Sequence, residues 1–162
     1  MSPSPSRSRS NSEGRVTVFR HYPKGGALAP LHWRQMRAVL DAMLDVPTDS
    51  SDYGVHHPIA VELFLLDDAA VAKANALHLD CAGPTNILSF PGGTDTPGVL
   101  LLSLDTLQRE CLLYGQDPSE HTIRLLAHGM GHLCGLDHSP VMDDLCEQFM
   151  DAAWAALCDE EA

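Results

Sequence analysis

The chain lacks any stretch near the ~20 consecutive apolar residues that a membrane helix requires. Its opening, MSPSPSRSRSNSEG, has no apolar core of the kind that marks a secretory signal. That Ser-, Pro- and Arg-rich opening has nothing to bury, so residues 1–14 read as a disordered tail and 15–162 as a single domain. A transit peptide is the other reading of such a composition, but the stretch is short and shows no amphipathic pattern. No CxxC pair occurs, and the five cysteines (Cys81, Cys111, Cys134, Cys146, Cys158) are odd in number and scattered. This excludes a disulfide framework, points to a reducing compartment and makes the cytoplasm the expected location. The cysteines read as small buried hydrophobes. Basic residues are scarce after the first quarter: only Lys73, Arg109 and Arg124 follow Arg37, against 21 carboxylates, and the net charge is -12. Such an acidic body argues against broad nucleic-acid binding, which draws on neutralisation of phosphates. The first 37 residues, with seven of the ten Lys and Arg, are a basic front on that body.

What is present is a patterned chain, 44% apolar. RVTVFRHY, 15–22, alternates as a strand does. Pro30 can open a helix carrying Trp33, Met36, Leu40 and Met43 at three- and four-residue steps. The segment 46–58 is a loop by its Pro, Ser, Asp and Gly, and it places His56 and His57 on the surface. IAVELFLL, 59–66, is a strand apolar on both faces and therefore central. Asp67 or Asp68 can cap a helix to about Leu77. NILSFP, 86–91, and VLLLS, 99–103, read as adjacent strands, followed by a helix over 105–114 ending at Gly115. Asp117, Pro118 and Glu120 form a capping-box start for the next helix, with Gly135 just past its end. Ser139 and Pro140 begin a last helix with Val141, Leu145, Phe149, Ala152 and Ala156 on one side. No internal repeat and no regular βαβ alternation is visible. The expected architecture is α+β in one domain, a small mixed sheet packed with about five helices around a three-histidine metal cleft.

LLAHGMGHLCGLDHSP, 125–140, carries the chemistry. His128 and His132 stand four apart on the predicted helix, so their rings leave one face a turn apart. Gly135 lets the backbone double back and deliver His138. Three neutral imidazoles make three vertices of a zinc tetrahedron and leave one open, the arrangement of catalytic rather than structural sites. Nickel or iron would also suit the three rings. Three unrelated histidines would rarely fall in register with that glycine. The spacing also occurs in metzincin peptidases, which carry Glu after the first histidine as base; here that position is Gly129, so peptide hydrolysis is disfavoured. Asp137 is a candidate acceptor for a ligand ring N–H or an ordinary loop carboxylate. Arg124 is a candidate phosphate contact or a helix-surface ion pair. Cys134 reads as core, and His78 and His121 as candidate accessory groups.

Taken together, these blocks resemble the YbeY family of bacterial metal-dependent endoribonucleases, or rRNA maturation factors. The family's HGxLHLxGxDH is met as HGMGHLCGLDH, 128–138, and its PTDVLSFP or PTNVLSFP as PTNILSFP, 84–91. Asn75, Ser103, Asp105 and Met142 fit further family positions. The resemblance covers about residues 59–150. It implies one zinc ion held by His128, His132 and His138, with Thr85, Asn86 and Ser89 lining the cleft. It implies cleavage of single-stranded RNA, by water or by the RNA 2′-OH, in maturing the 16S rRNA 3′ end and in ribosome quality control, with precursor rRNA and the small ribosomal subunit as partners. The chain departs from the family at Leu79, where an Arg is usual, at His78 for an aromatic residue, at Gly131 for Leu and at Val99 for Asp. Without that Arg, either His78, Arg124 or the basic front holds the phosphate, or the protein is a weakly active or non-catalytic zinc-containing assembly factor.

Overall fold

The structure is a computed structural model that describes residues 14–21, 29–48, 55–79 and 85–161. The tail expected over 1–14, except Gly14, lies outside the described residues, as does Cys81. Four strands and five helices occur among the described residues. In chain order they are β1 (Val16–His21), α1 (Trp33–Leu44), β2 (Val61–Leu66), α2 (Asp68–Leu79), β3 (Ile87–Phe90), β4 (Gly98–Ser103), α3 (Leu104–Tyr114), α4 (Pro118–Leu133) and α5 (Pro140–Glu161). This is the expected α+β architecture with a mixed sheet.

The sheet order is β1-β2-β4-β3. β2 is central, as its apolar run requires, and is parallel to both β1 and β4. β3 pairs antiparallel with β4, the adjacency expected from the short 91–97 connection. β1–α1–β2 is one parallel crossover, a local βαβ unit that the long 46–58 segment hid in the sequence; regular alternation ends at β3. Val61, Leu63, Leu65, Leu100 and Leu102 are buried, sharing a sheet face covered by helices. Met36, Val39, Leu40 and Met43 of α1, Ile123, Leu126, Ala127 and Met130 of α4, and Phe149 of α5 complete the core.

Several local expectations need correction. α1 begins at Trp33, not at Pro30, because His32 caps it: its Nδ1 accepts from Arg34 N at 3.2 Å while Gln35 Oε1 accepts from His32 N at 2.9 Å. α4 begins at Pro118 as expected, but Asp117 makes no side-chain cap bond. Glu120 pairs instead with Arg124 one turn on, at 3.4 Å, so no capping box closes. On α5 the buried face is Met142, Leu145, Phe149, Ala153 and Leu157, rotated from the expected one at its ends. The rotation arises because α5 packs on both α1 and α4 and Met142 is drawn against Gly131. Cys111 and Cys134 are buried and Cys146 is half-buried, but Cys158 is exposed on the last turns of α5. His57 is not a plain surface residue: its Nε2 lies 2.6 Å from Val46 O and its Nδ1 3.8 Å from Cys134 Sγ.

Asp67 caps α2, accepting from Ala70 N at 2.9 Å. A reciprocal clamp then ties α2 to α3. Asp105 accepts from Asp68 N at 2.9 Å, and Asp68 accepts from the Ser103, Thr106 and Arg109 side chains at 2.7, 2.6 and 2.9 Å. The family positions Ser103 and Asp105 are thus hinge-pins between helices. Burial alone would raise the Asp68 pKa, but the hydrogen bonds from Thr106, Ser103 and Arg109 outweigh it and hold the carboxyl below its ordinary value. Its contribution to stability is therefore present above the unfolded carboxyl pKa and is lost as pH falls through the lower folded value. Asp68→Ala should lower unfolding free energy by about 2–3 kcal/mol at pH 7, since it strands the buried Ser103 hydroxyl. Urea titrations should show that deficit shrinking at pH 3; a difference that stays constant across this range would contradict the clamp.

Candidate metal centre

At Gly129, α4 meets the side chains of the sheet directly with its backbone. A Cβ at Gly129 would lie 2.8 Å from Leu100 Cδ2 and 2.9 Å from Ile87 Cδ1. Ser89 Oγ donates to the Gly129 carbonyl at 3.2 Å. This seat places His128 and His132 beside β3, and a cleft of about 520 Å³ opens there. It is lined by Thr85–Ser89, Pro91, His128, His132 and Gly135–Asp137.

The helix end delivers the third ring. Gly135 takes φ 87°, the left-handed region. Gly135 N bonds to His132 O at 3.0 Å and Leu136 N to Gly131 O at 3.2 Å, a Schellman closure. The reversal brings His138 back: ring centroids of His128, His132 and His138 stand 4.7, 4.9 and 5.2 Å apart. One ligand atom from each lies within 4.8 Å of the others. His132 Nδ1 is 2.9 Å from Leu136 O, which can only accept, so Nδ1 carries the proton and Nε2 is the free lone pair. That Nε2 is 3.2 Å from His128 Nε2. Two nitrogens at ~2 Å from one tetrahedral ion stand ~3.4 Å apart, so the His128–His132 pair is already at ligand spacing and His138 completes a group that could hold a metal. Burial first, then the neighbouring His132 and His138, push the His128 pKa below its ordinary value, against a smaller opposing effect of Asp143. The ring is therefore neutral at physiological pH, the form a metal takes.

The other candidates divide. Thr85, Asn86 and Ser89 line the cleft. Asn86 is already engaged: its Oδ1 accepts from Ile87 N at 2.7 Å and its Nδ2 lies 3.4 Å from Glu110 Oε2. That carboxylate is also 3.4 Å from His121 Nε2, so His121 is a buried support behind the cleft. Asp137 is an exposed residue of the rim, and the acceptor found on a ligand ring is the Leu136 carbonyl. Arg124 is outside the lining, bonded to Gln116 and Glu120 at 3.0 and 3.4 Å. His78 closes α2, and its side chain, like that of Leu79, lies outside the described residues. Sequence reasoning missed Glu110 and the Leu136 carbonyl. A backbone acceptor leaves no signal in residue identity, and Glu110 is one helix-surface carboxylate among many until the fold closes.

A family model described as endoribonuclease YbeY matches residues 29–157. The chain belongs to the YbeY family. An endoribonuclease YbeY of Oleidesulfovibrio alaskensis is 40% identical over 149 residues, 76% of this chain and 84% of the relative. That of Nitratidesulfovibrio vulgaris is 44% identical over 117 residues, 59% of this chain and 72% of the relative. The solution structure of a Thermotoga maritima protein shares the fold at a TM-score of 0.54 and 16% identity, covering 88% of this chain and 93% of that one. Against the YbeY motif, Gly131 in place of Leu has a structural counterpart. A Cβ there would meet Met142 Cε at 3.0 Å and Cys146 Sγ at 3.4 Å, so α5 occupies the space a side chain would fill. No helix among the described residues is long and apolar enough to cross a membrane.

Protons and metal compete for the same three rings. Because the His128 pKa is depressed, metal should be retained at pH 7 and released only as pH falls below the ordinary histidine value of ~6.5. Metal content after dialysis at stepped pH should show one ion per wild-type chain at pH 7.5 and almost none in His132→Ala at any pH. Equal metal in both proteins would refute the site.

Proposed function

We propose that this protein is a zinc-dependent endoribonuclease that cuts single-stranded RNA, acting on precursor rRNA in 16S 3′-end maturation and ribosome quality control. Residues 15–162 act as one unit in the cytoplasm, with the small ribosomal subunit as partner. The observation that carries this reading is the convergence of three imidazoles, one already held in the ligating tautomer, beside an open cleft lined by residues 85–89 and Pro91. When bound, the ion supplies a Lewis acid for a phosphoryl oxygen and lowers the pKa of water. The residues of the chain do the rest. His128, His132 and His138 hold the ion, and the Leu136 carbonyl keeps the His132 ring from turning. The Thr85 hydroxyl, without a hydrogen bond among the described residues, is free to meet a phosphate or ribose. Asp137, exposed at the rim and next to His138 in the chain, is assigned the role of orienting that ring or accepting a proton from the nucleophile.

The geometry also weakens the peptidase alternative beyond the missing glutamate. Position 129 faces the Leu100 and Ile87 side chains, so any side chain there would first have to push these aside. A non-catalytic assembly factor is the second reading, favoured by one observation: Leu79 stands where the family carries Arg.

Wild-type protein should cleave single-stranded and precursor 16S RNA in a metal-dependent manner, and His132→Ala should fall to background. Asp137→Asn should keep its metal and lose about 10-fold in rate, within the range seen for residues that orient metal ligands. A fully metallated wild type that cuts none of these RNAs would move the protein to the assembly-factor reading.

A further inference from the structure

The chain carries a second concentration of unusual chemistry, away from the histidine cleft. The Arg20, Arg34 and Arg37 guanidiniums gather around one indole, their Cζ atoms 5.2, 5.1 and 5.8 Å from the Trp33 ring centroid. Arg20 and Arg34 are exposed and Arg37 is half-buried. None of the three forms an ion pair among the described residues, although the chain has 22 carboxylates. The nearby acids of α1 are engaged: Asp41 and Asp45 both bind Arg15, at 2.9 Å each. Three like charges drawn together without a counter-charge are costly in isolation, and an anion relieves that cost. The indole in their midst adds a flat face.

We propose that this cluster is a second binding site for single-stranded RNA, which anchors a strand whose scissile segment lies in the histidine cleft; the proposal rests on the RNA-cleaving function of that cleft. Guanidiniums for phosphates beside an aromatic plane for a base are the two components of sequence-tolerant single-strand binding. The sheet register gives the placement. Arg20 pairs with Leu65, Leu65 with Leu102, and Leu102 with Ile87 of the cleft wall. Arg20 and Ile87 thus lie in one transverse row, three strand spacings or ~14 Å apart. The residues between them, Leu65 and Leu102, are buried, so a strand joining the two sites passes around the helix-covered face and is longer than this direct interval. The arrangement also reconciles an acidic body with a nucleic-acid substrate, since the attraction is local to one corner.

The test is equilibrium binding of a labelled single-stranded RNA oligonucleotide to the full metal-loaded chain, by anisotropy across a salt series. It compares wild type with the Arg20→Ser, Arg34→Ser, Arg37→Ser triple variant, alongside circular dichroism and metal content. Without the three guanidinium–phosphate pairs, the slope of log K against log salt should fall by about 2, with affinity at least ~10-fold lower. Fold and metal content should be unchanged, as should cleavage of oligonucleotides too short to reach both sites. Wild-type tryptophan fluorescence should be quenched by the RNA, and Trp33→Leu should lose that quenching. Unchanged slope and affinity in a folded triple variant overturn the proposal. So does a wild type that binds no RNA, or that binds poly-aspartate equally well without quenching. If the triple variant fails to fold, Arg34→Ala at its exposed position decides, with an expected drop in slope of about 0.7. Arginine-dependent binding without any cleavage would sink the nuclease reading, and with it the anchoring of a scissile strand, leaving the cluster as an RNA-binding site alone.

Discussion

Everything at the metal centre depends on how closely α4 lies on the sheet. Gly129 removes the side chain that would stand between the helix and Leu100 and Ile87, and the Ser89 hydroxyl takes up the Gly129 carbonyl. Gly98 does the same lower down, where a Cβ would meet Leu133 Cδ1 at 3.0 Å. A close-packed interior transmits such constraints with little slack. The close seat holds His128 and His132 beside β3. The same glycine that forfeits a peptidase base lets the helix carrying the histidines lie directly against the cleft wall.

The far end of α4 extends this logic through backbone chemistry. A helix end leaves carbonyls without partners, and here several have a use. Those of Gly131 and His132 close the turn at Gly135, while His56 N reaches Cys134 O at 3.3 Å from the 55–58 segment. The turn then presents the Leu136 carbonyl to His132, so that one hydrogen-bonded reversal both terminates the helix and selects the tautomer of a ligand. Cys134 is buried, its thiol pushed up to about 12 by desolvation, and it is not in the group of side chains that could share the metal. Cys146, pushed up to about 11, is outside that group too.

Charge is arranged as strictly as packing. The carboxylates nearest the basic front hold Arg15, those at the α2–α3 junction hold Arg109, and Glu120 holds Arg124. These exposed pairs contribute little stability each, but they determine which cations are spent. The three left around Trp33 are the chain's concentrated positive field among the described residues. An acidic remainder limits indiscriminate attraction of polyanions, so positive charge free to meet an anion is confined to one corner of the described residues.

Much was legible in the residues alone. The strands at 16–21 and 61–66, the helix over 118–133, and the three-histidine cluster could be read because each rests on short-range periodicity: two residues along a strand, 3.6 along a helix, and an i,i+4 pair followed by a glycine turn. The PTNILSFP block carried the family resemblance and with it the cleft wall. What remained hidden depends on contacts between segments far apart in the chain. His57 looked like a loop residue until Val46 and Cys134 closed on it. Ser103 and Asp105 read as family positions, but their work is to clamp two helix starts, which sequence distance cannot show. The rotated face of α5 was settled by a glycine on another helix. Local pattern by itself determined the elements and the ligand triad, because those interactions span few residues. Only the tertiary structure decided what supports the triad and which arginines stay unpaired, because a partner 20 to 80 residues away leaves no trace in the spacing.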